Sequence, residues 1–202
     1  MQRMKVAEAI RTRASVRFFR DDPIPEDIVR EVLEAGIRAP NAGGAEQWFF
    51  VVVESEEKRD RIHELLLEAH LEYFKHRREP LPREKLEKLA SRIREGMYRA
   101  PLYVAAYVDL RRRTMEEEFS EVEWMMALES VSAAIENMIL AAWSRGVGSV
   151  WLGVPVLMED AFDEVLKPPP GTRLVAMVAF GYPAVPVSPR GRRPLEEVVT
   201  RI

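Results

Sequence analysis

Four apolar stretches rich in β-branched and aromatic residues are spaced along the chain, and each predicts a strand. They run from Trp48 to Val53, Leu102 to Val108, Val147 to Leu152 and Leu174 to Phe180. The first is apolar at every position, which is typical of a strand buried on both faces, and the second predicts another buried strand. We therefore expect a sheet that lies largely inside the protein.

Between these stretches, apolar residues recur at helical spacing. Short helices are predicted over Val6 to Thr12 and near Glu159 to Leu166, and a longer one begins after Pro25. The segment from Val122 to Ser144 is apolar on almost every side, which is typical of a helix buried in a large core or a subunit interface. Strands that alternate with helices predict an α/β or α+β sheet with helices on both sides, and we expect a single domain over residues 1–202.

A heavily charged stretch, at about 56–99, separates the first two predicted strands. Two helical patterns with prolines between them predict a helical hairpin on the surface. The three histidines, His63, His70 and His76, all lie here, at spacings of seven and six. A helical zinc site needs histidines four residues apart, so we expect surface histidines and no metal site.

The composition excludes several classes of function. The net charge of -3 and the pI of about 5.8 argue against nucleic acid or an anionic membrane as a partner. Because there is no cysteine, disulfides, thiolate metal sites and cysteine nucleophiles are excluded. The sequence predicts no signal peptide and no segment apolar for long enough to span a bilayer, so the expected location is cytoplasmic.

The use of amide and charged residues resembles that of proteins from hot environments. Asparagine occurs only at positions 41 and 137, glutamine only at 2 and 47, and 31% of the residues are charged. Thermophile proteins are typically poor in labile amides and rich in ion pairs. We therefore expect a thermophilic source.

Arginines at both ends of the chain are candidates for phosphate binding. Arg13, Ser15 and Arg17 alternate with small or apolar residues, so an extended chain would place all three on one face. Guanidinium groups match phosphate oxygens, and a phosphate monoester suits such a face. Arg190 and Arg192 in the tail would help to close the same site. The alternative for both clusters is an ordinary solvated basic surface.

Two glycine-containing segments are further candidates. Residues 39–48 join a helix to a strand, and their glycines allow the backbone to approach a flat or anionic ligand. Asn41 and Gln47 can hydrogen-bond the edge of a heterocycle, although glycine pairs also serve simple turns. Residues 146–153 are not a dinucleotide fingerprint, because Trp151 stands at the third glycine position and a helix precedes the segment.

No acid, base or nucleophile stands out from the sequence. No serine lies in a nucleophile elbow, and the acidic residues fall chiefly at exposed helical positions. A chain with features of cofactor binding and no evident catalytic group indicates that a cofactor carries the chemistry.

Taken together and in this order, these segments resemble the nitroreductase family of flavin mononucleotide (FMN) enzymes. Arg13-x-Ser15-x-Arg17 resembles the family's phosphate motif, and residues 39–48 resemble its flavin loop. Residues 146–153 resemble the stretch whose backbone meets the flavin ring. The tail after Gly181, which includes Arg190 and Arg192, resembles the family's C-terminal signature.

The resemblance implies an α+β fold, with a mixed central sheet flanked by helices and an intertwined homodimer that binds two FMN molecules between its subunits. NAD(P)H would deliver a hydride to the flavin, and a quinone, a nitroaromatic or a free flavin would accept the electrons. The backbone of Leu152 and Gly153 would meet the reactive side of the ring. The other residues implied to bind FMN are Arg13, Ala14, Ser15, Arg17, Pro40, Asn41, Ala42, Gly43, Gln47, Val150, Trp151, Arg190 and Arg192.

One departure from the family pattern leaves the acceptor open. Gly44 stands where the flavin loop usually has asparagine, and Glu46 lies in its altered ending. The alternatives are a specialised flavoenzyme of the same fold (a dehalogenase, a flavin-fragmenting enzyme or an oxygen-using dehydrogenase) and a non-catalytic flavin-binding dimer. A lid over the ring would come from 56–99 or 110–124, where Tyr73, Phe74, Phe119 and Trp124 either stack on the ring or pack against the sheet.

Overall fold

The computed structural model describes residues 4–202. The first three residues, on which the expected lack of a signal peptide partly rests, lie outside the described residues. The described helices are α1 (Val6–Thr12), α2 (Glu26–Gly36), α3 (Glu56–Lys75), α4 (Arg83–Arg94), α5 (Ser120–Ser144) and α6 (Glu159–Leu166), and the strands are β1 (Trp48–Val53), β2 (Leu102–Asp109), β3 (Gly148–Leu152) and β4 (Thr172–Gly181).

The four strands form one sheet in the order β1-β2-β4-β3, and each neighbouring pair is antiparallel. The α+β class is therefore confirmed. The sheet is antiparallel where a mixed sheet was expected, and a parallel pairing occurs at the isolated bridge between Ser15 and Ser149. This bridge attaches the basic segment after α1 to the outer edge of β3.

Two hydrophobic cores cover the two faces of the sheet. Along β2, Tyr103 and Tyr107 join the core beneath α3 and α6, whereas Val104 and Val108 join the core beneath α2 and α5. All eight residues of β2 are buried. This strand is apolar at nearly every position because both of its faces are covered, as the sequence predicted.

The prediction that β1 is buried on both faces is wrong for the single chain. β1 is an edge strand that pairs only with β2 among the described strands, and Val52 is 36% exposed. Its continuous apolar sequence resembles that of β2, and the pattern does not distinguish a central strand from an edge strand.

The long apolar helix α5 lies in the core beneath the sheet. Val131, Ile135 and Met138 are fully buried, whereas Met125 is 56% exposed. The helical stretch Glu117–Ser144 is long and apolar enough to cross a membrane, contrary to the expectation that no segment would be. Its packing against the sheet explains this apolar composition, because a helix buried in a protein core, like one in a membrane, has few polar residues.

The charged stretch at 56–99 forms α3 and α4, and α3 is more deeply packed than a surface hairpin would be. Ile62, Leu65 and Leu66 of α3 are almost completely buried. The prediction that His70 lies on the surface is wrong, because its ring stacks on Tyr98 at a centroid distance of 4.8 Å. His70 Nδ1 also donates to the carbonyl of Leu66 at 2.6 Å.

The burial of His70 makes stability depend on pH. Burial lowers the pKa of His70 below its usual value of 6.5. Below pH 6.5 the unfolded chain therefore binds a proton that the folded chain does not. The free energy of unfolding should fall as the pH falls from 6.5 towards the folded pKa, by up to about 1.4 kcal/mol per pH unit.

Replacing His70→Phe should reduce this slope, since phenylalanine keeps the stacking on Tyr98 and cannot bind a proton. The measurement is urea unfolding between pH 7.5 and 5. Tyr73→Phe, a change at an exposed aromatic residue of the same helix, should retain the slope of the original chain. Equal slopes for the original chain and His70→Phe would contradict the prediction.

Candidate functional site

The basic segment that follows α1 runs along the outer edge of β3. Val16 N donates to the carbonyl of Ser149 at 2.9 Å, and the Val16 side chain is fully buried. Arg13, Ser15 and Arg17 instead line a surface cavity. The alternation in the sequence therefore separates one buried face from one polar face, as it predicted.

The tail that follows Gly181 is held beside the amino-terminal basic segment where it begins. Phe19 forms an isolated antiparallel bridge with Pro183, and Arg20 N donates to the carbonyl of Tyr182 at 2.8 Å. Because the tail leaves the sheet at this point, its arginines lie next to those of the amino-terminal segment.

Gly148 permits both segments to approach β3. A Cβ atom at this position would lie 2.4 Å from Cγ2 of Val16 and 3.3 Å from Cγ of Pro183. Any side chain here would therefore push the amino-terminal segment away from the strand.

Four arginines and two serines meet at this edge of the sheet. They line a cavity of about 100 Å³, which we name the arginine cavity. Sequence reasoning missed Ser188, although Ser188, Arg190 and Arg192 alternate in the same way as the amino-terminal motif. The lining residues are Arg13, Ala14, Ser15, Arg17, Ser188, Arg190 and Arg192.

The arginine cavity is strongly positive. Every charged side chain in its lining is an arginine. Outside the lining, Arg13 Nε lies 3.5 Å from Oε1 of Glu136. Guanidinium groups around a small cavity, together with serine hydroxyls, fit a phosphate group. The cavity is too small for an aromatic ring system, so a larger ligand would place only its phosphate here.

The glycine-containing loop before β1 is held in shape by its own residues. Gly43, Gly44 and Glu46 have positive φ angles of 59°, 68° and 49°. Asn41 Oδ1 accepts a hydrogen bond from Glu46 N at 2.9 Å, so this oxygen stabilises the turn. Glu46 is exposed to solvent, and glutamate at a positive φ is strained where glycine would not be.

The start of this loop lies on α5, away from the arginine cavity. Ala42 N donates to Ser130 Oγ at 3.1 Å, and Ser130 Oγ donates to the carbonyl of Met126 at 2.8 Å. Pro40, Asn41 and Ala42 line a second cavity of about 410 Å³ with side chains of α5.

The end of the loop is held by a hydrogen bond from Gln47 to Glu123, in the first turn of α5. Gln47 is 3% exposed, and its Nε2 donates to Oε1 of Glu123 at 3.2 Å. The sequence analysis placed Gln47 beside a heterocycle. In the structure, its side-chain amide instead donates to the buried carboxylate of Glu123. Sequence reasoning missed Glu123, because it lies in the first turn of α5 together with Glu121 and nothing in the sequence distinguishes the two acids.

The carboxyl end of β3 presents mainly its backbone. The side chains of Val150 and Leu152 belong to the core beneath α3 and α6, and Trp151 is 38% exposed on the other face. Gly153 follows the strand with open space where a side chain would be. A ligand at this end would therefore meet the backbone of Leu152 and Gly153, and the ring of Trp151.

Within one chain, the two arginine-containing segments lie together at the arginine cavity, and the glycine-containing loop lies apart from it. The loop lines cavities of about 410 Å³ and 590 Å³, whose linings share no residue with the arginine cavity. The assignment of individual residues to a flavin stays a prediction.

Comparisons with known proteins agree with this architecture. The family model described as "Nitroreductase family" matches residues 10–182. The chain is 25% identical to YfhC of Bacillus subtilis, assigned as an NAD(P)H nitroreductase, covering 100% of this chain and 96% of YfhC. It is 31% identical to 5,6-dimethylbenzimidazole synthase of Rhodospirillum rubrum, covering 85% of this chain and 78% of the synthase. A crystal structure assigned as a nitroreductase in complex with FMN, from Desulfovibrio desulfuricans, matches with a TM-score of 0.72 and 26% identity over 100% of this chain and 98% of the other.

Adding a methyl group at Gly148 should destabilise the protein. The Gly148→Ala change should lower the free energy of unfolding by about 1–3 kcal/mol, because Val16 and Pro183 must move to admit the Cβ atom. Urea unfolding checks this value. Gly191→Ala, where a Cβ atom meets nothing within 4 Å, is the matched control. Equal stability of the two variants would contradict the packing described for Gly148.

Proposed function

Since the chain belongs to the nitroreductase family, we propose that it is an FMN-dependent oxidoreductase that passes hydride from NAD(P)H through the flavin to a quinone, nitroaromatic or flavin acceptor. The observation that carries this proposal is the arginine cavity. It joins two segments from opposite ends of the chain into one site of phosphate size.

The arginine cavity fits the phosphate of FMN. Arg13, Arg17, Arg190 and Arg192 supply four positive charges, and a phosphate monoester carries about -1.5 to -2 at neutral pH. The Ser15 hydroxyl would donate a further hydrogen bond. Charge-assisted hydrogen bonds from guanidinium groups are about twice as strong as neutral ones, so this part of the ligand would anchor the rest.

When bound, FMN supplies the redox chemistry, accepting a hydride from NAD(P)H and returning electrons to a second substrate in a ping-pong sequence. The backbone N–H groups of Leu152 and Gly153 would donate to the reactive side of the ring, where fixed donors stabilise developing negative charge. The buried Leu152 side chain holds this backbone in place.

We further propose that two copies of the chain complete each site as a homodimer. The separation of the loop from the arginine cavity supports this, because a second copy can bring its own loop to the cavity of the first. Met125, Met126 and Val122 on α5 are exposed apolar side chains that such a contact would bury. The expected location is cytoplasmic.

A specialised flavoenzyme is the second candidate. The 31% identity to a 5,6-dimethylbenzimidazole synthase supports a specialised reaction on the same fold, and Gly44 and Glu46 alter the predicted flavin loop. A flavin-fragmenting enzyme would consume its flavin, whereas an NAD(P)H oxidoreductase would return it unchanged. A non-catalytic flavin-binding dimer would do neither.

Turnover distinguishes these candidates. The purified protein with bound flavin should oxidise NADH or NADPH when menadione or nitrofurazone is added, and the flavin should be recovered intact. Absorbance at 340 nm follows the reaction. No oxidation of either nucleotide with any quinone or nitro acceptor would contradict the proposed oxidoreductase.

The phosphate assignment has its own test. Arg17→Ala should weaken FMN binding about 10- to 150-fold and riboflavin binding less than about threefold, because only FMN carries the phosphate. Fluorescence titration of the flavin-free protein gives both dissociation constants. Arg20→Ala is the control, since Arg20 is exposed and pairs with Asp22 at 3.0 Å. Equal losses for the two ligands with Arg17→Ala would mean that Arg17 supports the fold instead.

A further inference from the structure

Tyr98, in the turn that follows α4, has an unusual backbone conformation. Its φ angle is 72°, in the left-handed region, and the residue is only 8% exposed. Among residues 4–202, Glu46 and Lys167 also have positive φ angles, but both are exposed. A bulky residue rarely adopts this conformation, and it persists only where the surrounding structure holds it. Such residues cluster at functional sites, so the contacts of Tyr98 indicate what its conformation serves.

The backbone N–H of Tyr98 meets the amino-terminal arginine motif. It donates to the carbonyl of Arg17 at 2.7 Å, and the preceding residue, Val16, donates to the carbonyl of Ser149 at 2.9 Å. The backbone at Arg17 is therefore held both by β3 and by Tyr98. Because the Arg17 side chain lines the arginine cavity, the direction of its guanidinium depends on this part of the backbone.

A ring stack and a hydrogen bond hold Tyr98 in its conformation. Its ring lies on that of His70 in α3, with a centroid distance of 4.8 Å and an interplanar angle of 14°. Its carbonyl accepts from the hydroxyl of Tyr103 in β2 at 2.7 Å, and the same hydroxyl accepts from Ala100 N at 3.2 Å. Buried residues of α3 and β2 thus fix the N–H group that meets Arg17.

We propose that Tyr98 is a positioning residue for phosphate recognition. Its left-handed backbone holds Arg17 so that the guanidinium lines the arginine cavity. This role rests on the proposed function, and it adds a residue that acts through Arg17 without contacting the ligand. Riboflavin lacks the phosphate, so Tyr98 affects the ratio of the riboflavin and FMN dissociation constants. A general loss of stability would weaken the binding of both flavins alike.

The test compares Tyr98→Ala with Tyr98→Gly, which both remove the ring. Glycine adopts a φ of about 72° without strain, so its N–H stays on the Arg17 carbonyl. Alanine is strained there, and without the stack on His70 it turns to a more common conformation and releases Arg17. Fluorescence titration of the flavin-free protein gives the ratio of the two dissociation constants. This ratio should fall at least about fivefold in Tyr98→Ala and stay within about twofold of the original in Tyr98→Gly.

A second pair of variants removes a hydroxyl and leaves Tyr98 itself unchanged. Tyr103→Phe takes away the hydrogen bond to the Tyr98 carbonyl, and the ratio should fall about two- to tenfold. Tyr107→Phe is the matched control, because Tyr107 is also fully buried in β2 and its hydroxyl donates to Asp163 of α6 at 2.8 Å. Tyr107→Phe should keep the ratio of the original chain.

Equal ratios in Tyr98→Ala and Tyr98→Gly would overturn the proposal, because the ring and not the backbone conformation would then be responsible. If Tyr98→Ala does not fold, an unchanged ratio in Tyr103→Phe overturns it. Failure of the proposed function has a different signature, since the original chain would then bind neither flavin, or would bind FMN no more tightly than riboflavin. That result would overturn the role of Tyr98 as well.

Discussion

The close approach of two chain segments to β3 is the constraint on which the candidate site depends. Gly148 leaves room for Val16 and Pro183, and the bridge from Ser15 to Ser149 fixes the register of the amino-terminal segment. Side chains of an extended segment alternate between two faces, so the burial of Val16 turns the neighbouring Ser15 and Arg17 toward the cavity. The arginine cavity is thus held by apolar packing beneath it.

Much of this arrangement could be predicted because it is local. Arg13, Ser15 and Arg17 follow from alternation in an extended segment, and α6 follows from its helical spacing. What could not be predicted depends on contacts between distant residues. The burial of His70 requires the ring of Tyr98, and the edge position of β1 depends on which strands pair.

The same distinction applies to the loop before β1. Its two glycines indicated a close approach to a ligand, and both adopt positive φ angles. The commitment of Gln47 to Glu123 could not be read from the loop, because the partner lies on α5. Glu123 also accepts hydrogen bonds from the backbone N–H and the hydroxyl of Thr114. This buried carboxylate therefore joins the end of the loop to the segment around Thr114.

The most direct measurement of the central claim is the absorbance spectrum of the freshly purified protein from 300 to 550 nm, with the released cofactor identified by mass. A yellow protein that releases FMN is the result predicted by the arginine cavity and the family membership. A colourless protein that also fails to bind added FMN would contradict the account, and only the fold would remain.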